Sequence, residues 1–118
     1  MKILFLGDVM GRAGRDAINK NLTNLRNSMS LDFVIVNAEN ATSGFGLSFP
    51  HAKEMLDSGA DCLTLGDHAF DQKDMISGIV AEPRIIRPIN LAKTAPGKGA
   101  QYFDLPDGRK ILVIQVLG

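Results

Sequence analysis

Short apolar runs alternate along the chain with longer stretches in which apolar residues recur every three or four positions. The short runs are rich in branched and aromatic residues, which favours buried strands. We predict strands at residues 2–6 (KILFL), 33–36 (FVIV) and 63–65 (LTL), a brief strand near residue 84, and a β-hairpin whose arms, residues 101–105 and 109–117, flank Pro106-Asp107-Gly108.

The longer stretches predict three helices. The first covers residues 13–29, where Ile18, Leu22, Leu25 and Met29 share one helical face with Ala17. The second runs from a capping Ser48 through Ser58, and the third spans about residues 72–80 and stops before a proline.

Repeated strand–helix units indicate an α/β fold, a mostly parallel sheet with helices on its faces. The chain has 118 residues, of which 45% are hydrophobic and 22% charged, which suits one soluble globular domain. No linker or internal repeat divides it.

Charge and composition exclude several classes of protein. The formal net charge is zero, which gives no sign of wholesale attraction to nucleic acid or membrane surfaces. No apolar run approaches the roughly 20 residues that a membrane span needs, and the short apolar start is too brief for a secretory signal. Cys62 is the single cysteine, so no internal disulfide or cysteine metal cluster can form, and we expect a cytoplasmic protein.

Acidic side chains follow three of the predicted strands directly. Asp8, Glu39 and Asp67 stand at these three ends, and His68 comes next in the chain. The carboxyl ends of neighbouring parallel strands meet at one sheet edge, so these groups should converge if the strands are neighbours. Carboxylates so close together repel one another unless a cation neutralises them, and oxygen ligands with an imidazole suit Mn²⁺, Fe or Mg²⁺. The alternative is that the acids merely cap the helices that follow.

Two loops carry further candidate chemistry. The glycine-bearing loop 7–15 opens a helix, so its backbone amides with Arg12 or Arg15 could hold an anion; its glycines could equally serve close packing. Its spacing matches neither a dinucleotide fingerprint nor a P-loop. Residues 43–46 (SGFG) are either a rim that closes over substrate or a plain turn. His51, inside the second helix, is interpreted as a solvated or capping residue.

Four motifs, "GDVMGRAGR", "VNAENATSGFG", "LTLGDHAFD" and "IIRPIN", occur in this order along nearly the whole chain. In this combination the chain resembles the YmdB-like family of bacterial metallophosphoesterases, within the calcineurin-like phosphoesterases. The resemblance implies about half of a four-layer αββα fold, the N-terminal part of such a domain, with a dinuclear metal site. It also implies hydrolysis of phosphodiesters, 2′,3′-cyclic nucleotides among them, with RNA as a further conceivable substrate.

The same resemblance implies a role for each matching residue. Asp8 would ligate the first of two divalent ions (Mn or Fe, with Mg as a further option), Glu39 would bridge both, and Asp67 would ligate the second. His68 would act near the leaving group as general acid or charge stabiliser. Asn40 would support the ligands or touch substrate, as Arg12 is expected to do from its place in the glycine-bearing loop.

The sequence departs from the family pattern in two ways. Asp67 stands where the family usually has Asn, which adds a negative charge to the site. The family is also about twice as long, and its later half supplies histidine ligands, so we expect an incomplete sheet and weak activity for this chain alone. Three hypotheses remain: a phosphodiesterase, a non-catalytic nucleotide- or phosphate-binding domain, and an inactive fragment that associates through its open sheet edge. As partners we expect a second copy or a C-terminal half.

Overall fold

Four parallel strands form the central sheet, and their order across the sheet is their order along the chain. The computed structural model describes residues 1–118. The strands of this sheet are β1 (Ile3–Leu6), β2 (Phe33–Asn37), β3 (Cys62–Thr64) and β4 (Ile85–Ile86). Two further strands, β5 (Ala100–Asp104) and β6 (Lys110–Ile114), pair antiparallel as a separate hairpin.

Three helices connect the parallel strands: α1 (Gly11–Met29), α2 (Phe49–Asp57) and α3 (Asp74–Ala81). All three lie where the sequence predicts them, although α1 begins two residues before its predicted start. None of them is long and apolar enough to cross a lipid bilayer.

The two faces of the sheet bury different partners because successive side chains of a strand point to opposite sides. Val34 and Val36 face the three helices and belong to the larger apolar core. Phe33 and Ile35 face the hairpin, which covers the second face. The Phe33 ring meets Phe103 of the hairpin edge to face, with ring centroids 5.0 Å apart. The parallel sheet flanked by helices is confirmed, but the helices occupy one face and the hairpin the other.

The segment between β4 and the hairpin is held by a buried arginine. Arg87 is 8% exposed, and its guanidinium donates hydrogen bonds to the carbonyl oxygens of Pro88, Ala95, Pro96 and Gly97 over 2.9–3.3 Å. The four carbonyls belong to residues on both sides of the loop, so one side chain ties its two ends together. The arginine therefore fixes the loop that lays the hairpin on the sheet.

Replacing this arginine should destabilise the protein more than replacing an exposed one. We expect Arg87→Met to lower the free energy of unfolding by about 3 kcal/mol, because several hydrogen bonds from a buried, charged donor are lost at once. Arg12→Met is the matched control, since the Arg12 side chain is 87% exposed. Urea unfolding followed by circular dichroism measures both variants, and equal effects would contradict this role.

Candidate functional site

The acidic candidates lie at the carboxyl edge of the sheet, at the ends of three adjacent strands. β1 pairs with β2 and β2 with β3, all parallel. The backbone after β1 is held beside the end of β2, because Val9 N–H donates to the Asn37 carbonyl at 3.3 Å and Gly11 N–H to the Asn40 carbonyl at 3.0 Å. The strands that carry Asp8, Glu39 and Asp67 are therefore neighbours, as the prediction of convergence requires.

Glu39 and Asp67 are the carboxylates that the structure brings together. The Glu39 carboxyl lies over the backbone of Gly66, where a Cβ atom would clash with both carboxyl oxygens. Only glycine leaves room for the carboxyl group there. Burial raises the pKa of Glu39, and a hydrogen bond with Asp67 and the Asp67 charge raise it further. The repulsion that the sequence predicts is present between these two groups.

His68 is oriented by Asp71, three residues further along the turn. Its Nδ1 lies 2.7 Å from Asp71 Oδ2, while Nε2 lies 3.9 Å from Asp67 Oδ1. The hydrogen bond with Asp71 is the main reason that the pKa of His68 is raised, and the nearby charges of Asp67 and Glu39 add to it. The carboxylate favours a proton on Nδ1, so Nε2 is the nitrogen free to meet a ligand.

The acids do not act as helix caps, which was the alternative interpretation. The N-cap residues of the three helices are Met10, Ser48 and Lys73, and none of the three helices has a side-chain capping bond. Ser48 stands at its predicted position, but its backbone N–H donates to the Thr42 hydroxyl instead.

The other candidates lie around this cluster without touching it. Asp8 is exposed and adopts a left-handed backbone conformation (φ 52°), which aspartate tolerates better than most residues. Asn40 contributes its backbone carbonyl, which accepts from Gly11 and Gly44. Arg12 is exposed and its nearest ionic partner is Asp16, at 3.8 Å, so the structure does not bring it against the carboxylates.

No group of three or more His, Cys, Asp or Glu side chains is arranged as a complete metal centre. The donor set nevertheless suits a divalent cation in part. Glu39 and Asp67 share one small volume, no lysine or arginine neutralises them, and His68 stands beside them. Asp8, on the adjacent strand, would have to turn its side chain toward Glu39 to complete the set.

Sequence reasoning missed two supporting residues and the role of one loop. The Asn37 side-chain amide donates to Thr64 Oγ1 at 3.3 Å. Its hydrogen bond with Glu39 opposes the rise of the Glu39 pKa. Asp71 could have been found from its spacing to His68, which brings the two side chains together across one turn. The loop after β2 is fixed by Thr42, whose hydroxyl lies 2.7 Å from His51 Nδ1. His51 therefore holds the loop and takes no part in the acidic cluster.

The chain is thus an α/β protein whose parallel sheet presents carboxylates and an oriented histidine at its carboxyl edge. The sequence model of the YmdB-like protein family matches residues 4–118. The chain belongs to this family, as the four motifs indicated.

Several known proteins resemble the chain over its whole length. The 2′,3′-cyclic-nucleotide 2′-phosphodiesterase of Bacillus subtilis (strain 168) is 37% identical over 118 residues, which are 100% of this chain and 44% of that protein. Two crystal structures match all of the chain: a hypothetical protein from Thermus thermophilus, with a TM-score of 0.91, 35% identity and 45% of that chain covered, and a novel phosphatase from Mycoplasma pneumoniae, with a TM-score of 0.89, 37% identity and 43% covered. The chain thus spans less than half the length of each.

The orientation of His68 by Asp71 can be tested directly. We expect Asp71→Asn to lower the pKa of His68, because the raised value depends chiefly on this hydrogen bond. In the wild type, the imidazolium form then persists to higher pH than in the variant. Proton NMR of the two histidine rings, recorded against pH in the presence of EDTA, measures the change.

The second histidine is an internal reference for this titration. Burial and the Arg15 charge lower the pKa of His51, and Asp71 is not among the groups that act on it. Asp104→Asn, on the exposed hairpin, should change the pKa of neither histidine. An unchanged His68 titration in Asp71→Asn would contradict the proposed contact.

Proposed function

We propose that the chain is the N-terminal half of a metal-dependent phosphodiesterase that acts on 2′,3′-cyclic nucleotides, and that it supplies part of the metal site. The observation that carries the proposal is the Glu39 carboxyl, which lies over Gly66 and interacts with Asp67 beside His68. Membership of the YmdB-like family and the printed activity of the Bacillus subtilis relative support the class of reaction.

In this proposal the acidic residues hold two divalent ions. Glu39 lies between the other two strand ends and would contact both ions, with Asp8 on one side and Asp67 on the other. Mn²⁺ or Fe suits these oxygen donors and an imidazole, and Mg²⁺ is the remaining choice. Divalent ions bound there would cancel the carboxylate repulsion, polarise the phosphoryl group and acidify a water molecule.

His68 supplies the proton in this scheme. Asp71 keeps Nδ1 engaged and stabilises the imidazolium, so Nε2 can donate to the departing oxygen as the ester bond breaks. Asn40 and Arg12 border the site and would contact the phosphate or the sugar. Arg12 is free to do so, because its exposed side chain has only a distant partner in Asp16.

Metal dependence separates this proposal from simple nucleotide binding. We expect slow hydrolysis of bis(p-nitrophenyl) phosphate that requires Mn²⁺ and stops with EDTA. Glu39→Ala should reduce the rate by about 100-fold, because removing even the hydrogen-bond partners of metal ligands costs 10–100-fold. Glu54→Ala, an exposed glutamate on α2, is the matched control.

Two results would contradict this function. Activity that survives EDTA would exclude the metal, and full activity in Glu39→Ala would exclude the site. Nucleotide binding that ignores the chelator, without hydrolysis, would favour the non-catalytic alternative.

We also propose that the chain associates with a second copy or with a polypeptide that supplies the rest of its relatives' length. The outer side of the hairpin exposes Tyr102, Leu112 and Ile114 at 45–65%, and β1 exposes Ile3 and Phe5 at 49% and 60% on the hairpin side of the sheet. Apolar surfaces of this kind on a small domain are typical of interfaces.

Charges placed on the outer side of the hairpin should prevent association between copies. We expect sedimentation velocity to show a concentration-dependent larger species for the wild type and a monomer for Leu112→Lys/Ile114→Lys. The matched control is Ile76→Lys, since Ile76 is 50% exposed on α3, away from the hairpin. A wild type that stays monomeric, and that fails to bind the C-terminal half of a relative, would contradict association.

A further inference from the structure

The loop between β2 and α2 presents a large aromatic ring to solvent beside the candidate site. Phe45 is 63% exposed, so its ring adds little to either core. The Phe45 and His68 rings stand nearly perpendicular, with ring centroids 6.2 Å apart and the planes at 89°. Most of the Phe45 side chain therefore stays open to solvent next to the imidazole that the proposed reaction uses.

The backbone of this loop is fixed, which defines the point from which the Phe45 ring extends. Phe45 N–H donates to the Thr42 carbonyl at 2.9 Å, and the Phe45 carbonyl accepts from the Gln72 amide at 2.7 Å. Gly46 lies so close to the His68 turn that a Cβ atom there would stand 2.8 Å from the His68 carbonyl oxygen. The loop and the histidine turn thus form one packed unit, so the backbone that carries the Phe45 ring keeps its position relative to His68.

An apolar border continues on the other side of the loop. Met10 is 52% exposed, and its Sδ would lie 3.3 Å from a Cβ atom on Gly44. A phosphate attracted to the polar edge would therefore meet apolar surface immediately beside it. A substrate with a planar apolar group near its phosphate fits this arrangement better than a small phosphodiester does.

We propose that Phe45 is the stacking platform for the base of a nucleotide substrate and so determines the preference for nucleotides over small phosphodiesters. This inference rests on the proposed function, which places the phosphate at Glu39, Asp67 and His68. In a 2′,3′-cyclic nucleotide one ribose separates the cyclic phosphate from the base, a spacing on the scale of the separation between His68 and Phe45. Base–aromatic stacking tolerates any base, so the platform selects nucleotides without selecting among them.

Tryptophan fluorescence tests the platform independently of catalysis. The chain has no tryptophan, so Phe45→Trp creates a single reporter at the platform, and a stacked base quenches indole emission. Tyr102→Trp is the matched control, because Tyr102 is 65% exposed on the hairpin. With Mg²⁺ present, 2′,3′-cyclic AMP should quench the reporter at position 45 and not at 102. Glycerol 1,2-cyclic phosphate, which lacks a base, should quench neither.

Isothermal titration calorimetry on protein without the tryptophan reporter gives a second measurement, the affinity for each ligand. Phe45→Ala should weaken the binding of 2′,3′-cyclic AMP about tenfold, whereas Phe45→Tyr should retain it. Neither variant should change the binding of glycerol 1,2-cyclic phosphate. Because the side chain is exposed, folding should be unaffected, which circular dichroism checks.

The outcomes separate this inference from the proposed function. Hydrolysis by the wild type without quenching at position 45 overturns the platform and leaves the phosphodiesterase standing. Quenching without hydrolysis supports the platform and overturns the activity. Equal quenching at positions 45 and 102 also overturns the platform, as does an equal loss of affinity for both ligands in Phe45→Ala.

Discussion

The parallel register between β2 and β3 is the constraint on which the candidate site depends. Asn37 stands opposite Thr64 at the last paired position of the two strands, and the Ala38 N–H still donates to the Thr64 carbonyl at 2.9 Å. One or two residues beyond this point, the chains carry Glu39 and Gly66. A slip of one residue would point the side chains of β3 to the other face of the sheet and would remove the glycine from beneath the glutamate.

The strand register alone would bring together the carboxylates of Glu39 and Asp67, which repel each other, so other groups must offset this repulsion. Burial and the Asp67 charge both raise the pKa of Glu39, while Asn37 and His68 lower it. The partial balance explains how the fold tolerates the pair without a lysine or arginine. It also leaves a local excess of negative charge that a cation would relieve, which is the physical link between this geometry and a metal-dependent reaction.

Much of the fold could be predicted because hydrophobic spacing reports directly on burial. Ile18 and Leu22 are buried on α1 as their spacing indicated, although Met29, in the last turn on the same face, is 46% exposed. The strand order and the layer that covers the second face were harder to predict from the sequence, since they depend on contacts between distant segments. Arg87 is an example: a lone arginine in a proline-rich loop gives no sign that it will be buried among carbonyl groups.

The same limit applies within the site, where residue type was predictable and orientation was not. The sequence places Asp8, Glu39 and Asp67 at strand ends, yet only the last two interact, while Asp8 is exposed in a turn with left-handed backbone conformation. The pairing of Glu39 and Asp67 and the turn of His68 and Asp71 depend on the parallel sheet and its loops, all of which lie within this chain. The hairpin layer packs against the opposite end of β2 through Phe33. The chain therefore contains the parts that position these four residues.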